Sequence, residues 1–188
     1  PALSIVLGDY YHEDAAKLAP RKIVTVPNCA SDPCPDYADK LQVAQQARAK
    51  ALGQALSGGG PLATFHVLYL SLCYRDKGLF DAVDAVAELN GRLQARHLPA
   101  RVQLDVAGRF YLAGEESEFN ERLGQADLND DHGPLVVYHG FADEAKKREL
   151  LAQADAFVLA SYYEFEAHPV SLIEAMAHGL PIVVTRWR

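Results

Sequence analysis

The chain has 188 residues, 49% of them hydrophobic, which suits one domain of ordinary size with a buried core and excludes disorder along its whole length. A formal net charge of −7 argues against a nucleic-acid partner and against a polybasic membrane surface, both of which are bound through surplus Lys and Arg. Three cysteines, Cys29, Cys34 and Cys73, form no disulfide framework and have no companion pair at zinc-ligand spacing, so no metal is expected. No apolar run approaches the roughly eighteen residues of a membrane span, and no signal peptide is expected. The expectation is a cytoplasmic protein without a transmembrane segment, with a peripheral seat at the inner face of the membrane left open.

In chain order, Ser4–Leu7 and Ile23–Val26 predict two short strands flanking a helix near Tyr10–Leu18. A Pro-, Cys- and Asp-rich loop follows from Pro27 to Pro35, then an Ala- and Gln-rich helix over Asp39–Leu56. Ser57-Gly58-Gly59-Gly60-Pro61 is a breaker or mobile connection. It lacks the Gly-Lys-Ser/Thr ending of a phosphate loop, and no dinucleotide fingerprint follows a strand. From Phe65 onward apolar runs alternate with amphipathic stretches. Strands are predicted at Phe65–Leu72, Val102–Ala107, Leu135–Tyr138, Ala156–Ala160 and Ile182–Thr185. Helices are predicted between them at Leu79–His97, Glu115–Ala126, Asp143–Gln153 and Ser171–Ala177. In the longest of these, Leu79, Val83, Val86, Leu89 and Leu93 fall largely on one face. Near-continuous apolar strands joined by helices specify an α/β fold, a Rossmann-like parallel sheet with helices on both faces. Asp127, Asn129 and Asp131 hint at a calcium loop, but the required glycine is missing and Tyr138 stands where the bidentate Glu belongs. That stretch is a solvated loop.

Ligands of an open parallel sheet bind beyond the carboxyl ends of its strands. The loops there carry Arg75-Asp76-Lys77-Gly78, Gly108-Arg109, Gly140, and Glu164, Glu166, His168 and Pro169. Glycines let a ligand approach the backbone, and Lys and Arg suit an anion. Pro169 fits the first turn of a helix, leaving the amides of Val170 and Ser171 facing the crevice, where a helix start favours phosphate. Glu166 lies just before that helix and Glu174 about one turn inside it. Carboxylates at that spacing reach different parts of one ligand and accept strong hydrogen bonds from sugar hydroxyls.

The stretch Glu166-Ala-His-Pro-Val-Ser-Leu-Ile-Glu174-Ala-Met-Ala-His-Gly-Leu-Pro resembles the E-x7-E signature of the group 1 retaining glycosyltransferases. Lys77-Gly78 with the helix after it, Asp105–Gly108, His139–Ser161 and Val26-Pro27-Asn28 resemble further parts of that family, so the likeness runs from about Ile23 to Arg188. The resemblance implies a GT-B architecture, two Rossmann-like domains around a cleft. Residues 1–26 would then end the N-terminal, acceptor-side domain, 27–64 would link the two, and 65–188 would bind the nucleotide-sugar donor. The chain stops just beyond its last strand, so a longer protein is expected. The resemblance further implies that Glu174 holds the ribose, Glu166 touches the transferred sugar and Lys77 neutralises the donor diphosphate. Gly108, His168, Pro169, Val170 and Ser171 would line the donor, and Arg75 is the candidate for a family arginine replaced here by Leu72. Two family glycines are replaced as well, by Ala167 and Cys29. No cofactor or metal is implied, the donor being a UDP- or GDP-linked sugar and the acceptor a carbohydrate or a lipid-linked molecule bound mainly by the other domain. A non-catalytic nucleotide-sugar- or carbohydrate-binding domain of the same fold is the alternative.

Overall fold

The structure is a computed structural model and describes residues 2–186. Positions 187 and 188, the end of the stretch that carries the family likeness, lie outside the described residues. A short strand β1 (Ser4–Val6), helix α1 (His12–Ala16) and strand β2 (Ile23–Thr25) form a small parallel pair of strands at the start. Helices α2 (Tyr37–Lys40) and α3 (Gln42–Leu56) lead through the glycine turn into β3 (Ala63–Leu70). Then come α4 (Leu79–Ala95), β4 (Ala100–Ala107) and α5 (Ala113–Leu123). The strands β5 (Asn129–Asp130) and β6 (Gly133–Pro134) make a small antiparallel ribbon before β7 (Val136–Tyr138). The chain continues through α6 (Glu144–Gln153), β8 (Ala156–Leu159) and α7 (Val170–Ala177) to β9 (Ile182–Val184).

The main sheet has the order β7-β4-β3-β8-β9, with every neighbouring pair parallel. This is the expected parallel α/β sheet. Connections run one way from β3 through β4 to β7, then return to β8 and β9 on the other side of β3. Right-handed crossovers therefore place α4 and α5 on one face and α6 and α7 on the other. Side chains agree: Phe119 of α5 meets Tyr138 of β7 at 5.6 Å between ring centroids, on the face shared by Tyr69 and Val106. Leu68, Leu104 and Phe157 are fully buried among the strands, and Leu79 and Val83 bury the predicted stripe of α4, whereas Leu89 remains exposed. Each such side chain contributes about 1.5–3 kcal/mol on burial.

The differences from expectation have local causes. The first central strand leaves the ladder at Leu70, because the Leu72 carbonyl turns back to accept the Tyr69 hydroxyl at 2.8 Å. Helix α4 ends at Ala95, and His97 takes the left-handed conformation (φ 53°) after it. The N-terminal helix is divided into a 3₁₀ turn at Asp9–Tyr11 and α1. The 127–134 stretch is no free loop: Asp127 pairs with Arg122 at 2.7 Å, and Asp130 with buried Arg101 at 3.2 Å.

On the α6 face a chain of polar groups ties four strands together. Asp155, just before β8, accepts the His66 backbone N–H at 3.0 Å and the Arg48 Nε–H at 2.6 Å. Asp105 of β4 lies between His66 Nδ1 at 3.0 Å and His139 Nε2 at 2.8 Å. Burial pushes the Asp105 carboxyl up, but the two histidines outweigh it and hold it below its ordinary value. A carboxylate depressed by folding contributes stability that is complete above its unfolded value of about 3.9 and is lost as the pH falls below that. Asp105→Asn is therefore expected to lower stability near neutral pH by about 1–3 kcal/mol and to flatten the loss in acid. Urea unfolding of both proteins across the acid range measures this.

Candidate active site

The reversal of strand order lies between β3 and β8, and the loops after these two strands lie against each other beside a crevice bordered by Ser161, Glu166, Pro169 and Leu172. One loop brings Lys77 from the 3₁₀ turn Arg75–Lys77, and the other brings Glu166. Their side chains meet: Lys77 Nζ donates to Glu166 Oε2 at 2.6 Å, with only 13% and 15% of the two side chains exposed. The Ser161 hydroxyl donates to the same oxygen at 2.8 Å, and the ammonium sits 4.6 Å from the Tyr163 ring centroid. The loops are joined by backbone as well, Tyr162 N–H donating to Asp76 O at 2.8 Å. Gly78 makes the approach possible. It has φ 74°, and a Cβ built there would stand 2.5 Å from the Ala160 carbonyl carbon.

Glu174, inside α7, is buried and separately held. Its Oε1 accepts from Lys147 Nζ of α6 at 2.6 Å. Pro169 is the N-cap of α7 rather than a residue of its first turn, as its ψ of 123° shows, so Val170 and Ser171 carry the first helical N–H groups. Those amides have no partner within a helix, and the dipole there favours an anion. The His168 carbonyl accepts from Asn28 Nδ2 at 2.7 Å, which ties the Val26-Pro27-Asn28 stretch to the start of α7. Tyr11 of the N-terminal segment approaches from the other side. Burial and the nearby Glu166 charge push its phenol up, and its buried hydroxyl has no partner among the described residues.

Arg75 is not brought to this cluster. Its guanidinium pairs with Glu118 of α5 at 2.5 Å and stacks on Phe80 at 4.3 Å. Gly108 lies at the end of β4, where a Cβ would stand 3.0 Å from the Ser71 carbonyl carbon, so its missing side chain also serves the packing of two loops. Beside it Arg109 lies 4.2 Å from the Phe141 ring centroid, and the two border a cleft with Ser71, Leu72 and Ala142. Lys147, Ser161 and Tyr163 belong to the site by contact and were not singled out from sequence. Lys147 gives a local signal only toward Glu144, and its bond to Glu174 spans 27 positions. Cys34 and Cys73 are buried free thiols, and burial pushes Cys73 up to about 12, which leaves it unreactive near neutral pH.

Chemically, an ammonium, a carboxylate and a helix start share one crevice, with a second carboxylate on the same helix. Cation and amides suit a diphosphate, while the carboxylates suit hydroxyl groups. Among the described residues no helix is long and apolar enough to cross a membrane. Among solved structures, the crystal structure of TarM resembles the chain with a TM-score of 0.56 at 18% identity, covering 98% of this chain and 29% of that one. The catalytic domain of the cholesterol-alpha-glucosyltransferase from Helicobacter pylori matches at 20% identity and a TM-score of 0.47, covering 65% of each chain. The chain thus spans less than a third of TarM, and the likeness concerns the fold. No curated protein matches the sequence. A family model described as Glycosyl transferases group 1 matches residues 64–188, from the first central strand through α7 and beyond. The chain belongs to the group 1 glycosyltransferase family.

Proposed function

We propose that this chain forms the donor-binding half of a retaining glycosyltransferase, moving a sugar from a UDP- or GDP-linked donor to a hydroxyl of a carbohydrate or lipid-linked acceptor. The observation that supports it best is the meeting of Lys77 and Glu166 at 2.6 Å at the point where strand order reverses. In the reaction the bond from the sugar C1 to the β-phosphate oxygen breaks. A bond from C1 to the acceptor oxygen forms on the same face, and the proton of the acceptor hydroxyl passes to the departing diphosphate. Charge grows on the departing diphosphate, and Lys77 is assigned to meet it, since a positioned, largely desolvated cation acts most strongly where charge develops. The Val170 and Ser171 amides add donors to the same group. Glu166 is assigned to the hydroxyls of the transferred sugar and Glu174 to the ribose. No cofactor is assigned, because cation and helix start supply the positive charge. Residues 1–26 are assigned to the acceptor side, 27–64 to the link and 65–188 to the donor unit.

Calorimetric titration with UDP-glucose and GDP-mannose tests the reading. Binding of at least one is expected, weakened about tenfold or more by Glu174→Ala through loss of a charged hydrogen-bond acceptor. Failure of every nucleotide sugar to bind, or indifference to Glu174→Ala, overturns it. The turning of Arg75 toward Glu118 favours one further reading, a non-catalytic nucleotide-sugar-binding domain of the same fold. Release of nucleoside diphosphate on incubation with donor and acceptor separates enzyme from binder.

A further inference from the structure

The donor reading gives no role to Lys147, whose side chain is only 17% exposed. Lys147 lies in the first turn of α6, whose N-cap Asp143 accepts the Lys146 N–H at 2.8 Å. Its ammonium donates to Glu144 Oε1 at 2.7 Å and to Glu174 Oε1 at 2.6 Å. The two carboxylates are unequal partners: Glu144 is 76% exposed at its side chain, Glu174 only 11%, and Lys147 itself 17%. An exposed pair on one helix contributes little, so it does not explain why an ammonium is sunk between α6 and α7. The buried carboxylate does, because a charge out of water is tolerated when it is paired and hydrogen-bonded. Burial pulls the Lys147 ammonium down, but the two carboxylates outweigh it and hold it above its ordinary value. The other titratable group against Glu174 is buried His178, whose Nδ1 lies 2.8 Å from the Glu174 main-chain oxygen rather than its carboxylate.

The bond to Lys147 uses one carboxylate oxygen. Among the described residues no hydrogen bond reaches Glu174 Oε2. We propose that Lys147 is the positioning residue for Glu174, fixing Oε1 so that Oε2 is presented to a hydroxyl of the nucleotide-sugar donor. The inference rests on the donor-site reading above. A carboxylate clamped through one oxygen has lost its rotational freedom before the ligand arrives, and a lysine on a neighbouring helix makes its orientation depend on how α6 and α7 pack.

Calorimetry with UDP-glucose and GDP-mannose tests this on wild type, Lys147→Met, Lys147→Arg, Glu174→Gln and the double variant Lys147→Met/Glu174→Gln, each with its thermal unfolding. Lys147→Met is expected to weaken the donor about tenfold or more at neutral pH. The loss should run through Glu174, so that in a Glu174→Gln background Lys147→Met weakens the donor no further. Lys147→Arg should restore most of the affinity, and a merely structural lysine would weaken binding in both backgrounds. Should Lys147→Met not fold, Lys147→Gln carries the same expectation. Wild-type affinity in Lys147→Met, with binding lost in Glu174→Gln, overturns the positioning role and leaves the donor site standing. Wild-type affinity in Glu174→Gln overturns both.

Discussion

Replacing Lys77 with alanine is expected to weaken nucleotide-sugar binding and to lower turnover by about a hundredfold to a thousandfold, the scale of losing one positioned group opposite developing charge. Two effects add. On the proposed donor reading the diphosphate loses the cation assigned to it, and the Glu166 carboxylate is left beside it without its partner, so that an attraction becomes a repulsion. The second effect follows from the observed geometry, because Lys77 Nζ and Glu166 Oε2 are 2.6 Å apart and both side chains are largely buried. Breaking such a pair by removing one partner typically costs about 3–5 kcal/mol. Here the hydroxyl of Ser161, which donates to the same oxygen at 2.8 Å, retains part of that, so the stability loss belongs at the lower end. Lys77→Arg separates the terms. It keeps the charge and most of the stability, yet its planar fork does not reproduce a compact ammonium between Glu166 and the Tyr163 ring. Its unfolding temperature should approach that of wild type while its donor affinity stays well below it. Calorimetry and thermal unfolding on the three proteins measure both quantities. Donor binding unchanged in Lys77→Ala would remove the lysine from the site.

The sheet was legible because its strands are nearly continuous apolar runs, and two-sided burial needs nothing more local than that. Val102–Ala107 and Ala156–Ala160 were found within about two residues for this reason. The meeting of Lys77 and Glu166 was legible through motif and position, since both lie in loops beyond the carboxyl ends of neighbouring parallel strands. What escaped was contact across the chain. Nothing near Asp105 in the sequence points to His66 or His139, which stand 39 and 34 positions away. Lys147 falls on an ordinary charged helix, and its buried partner arrives through α7. Arg75 shows the opposite failure: a basic residue close to the right place in sequence faces Glu118, because a turn of only three residues aims Arg75 and Lys77 apart. The Asp127–Asp131 segment reads as a solvated loop because the glycine and bidentate Glu of a calcium loop are missing, yet Arg122 and Arg101 claim two of its aspartates.

Gly78 should tolerate a side chain poorly. Its φ of 74° is left-handed, which costs a side-chain-bearing residue about 1–2 kcal/mol. A Cβ there would also stand 2.5 Å from the Ala160 carbonyl carbon and 2.6 Å from the Ala160 Cβ, atoms of a backbone fixed at the end of β8. Neither neighbour is the far end of a flexible side chain, so the loops after β3 and β8 must separate. Gly58 provides the control within the same protein: its φ is 77°, and nothing lies within 4 Å of a Cβ built on it. Gly58→Ala is expected to cost about 1 kcal/mol from conformation alone. Gly78→Ala is expected to cost about 3 kcal/mol or more, lowering the unfolding temperature by roughly 6–12 °C for a chain of this size. Because Lys77 and Glu166 ride on the two loops being pushed apart, donor affinity should fall with stability in Gly78→Ala and stay at the wild-type value in Gly58→Ala. Equal losses of stability in the two variants, measured by thermal unfolding, would mean that the β3 and β8 loops are free to part. The close approach that seats Lys77 against Glu166 would then not depend on the missing side chain.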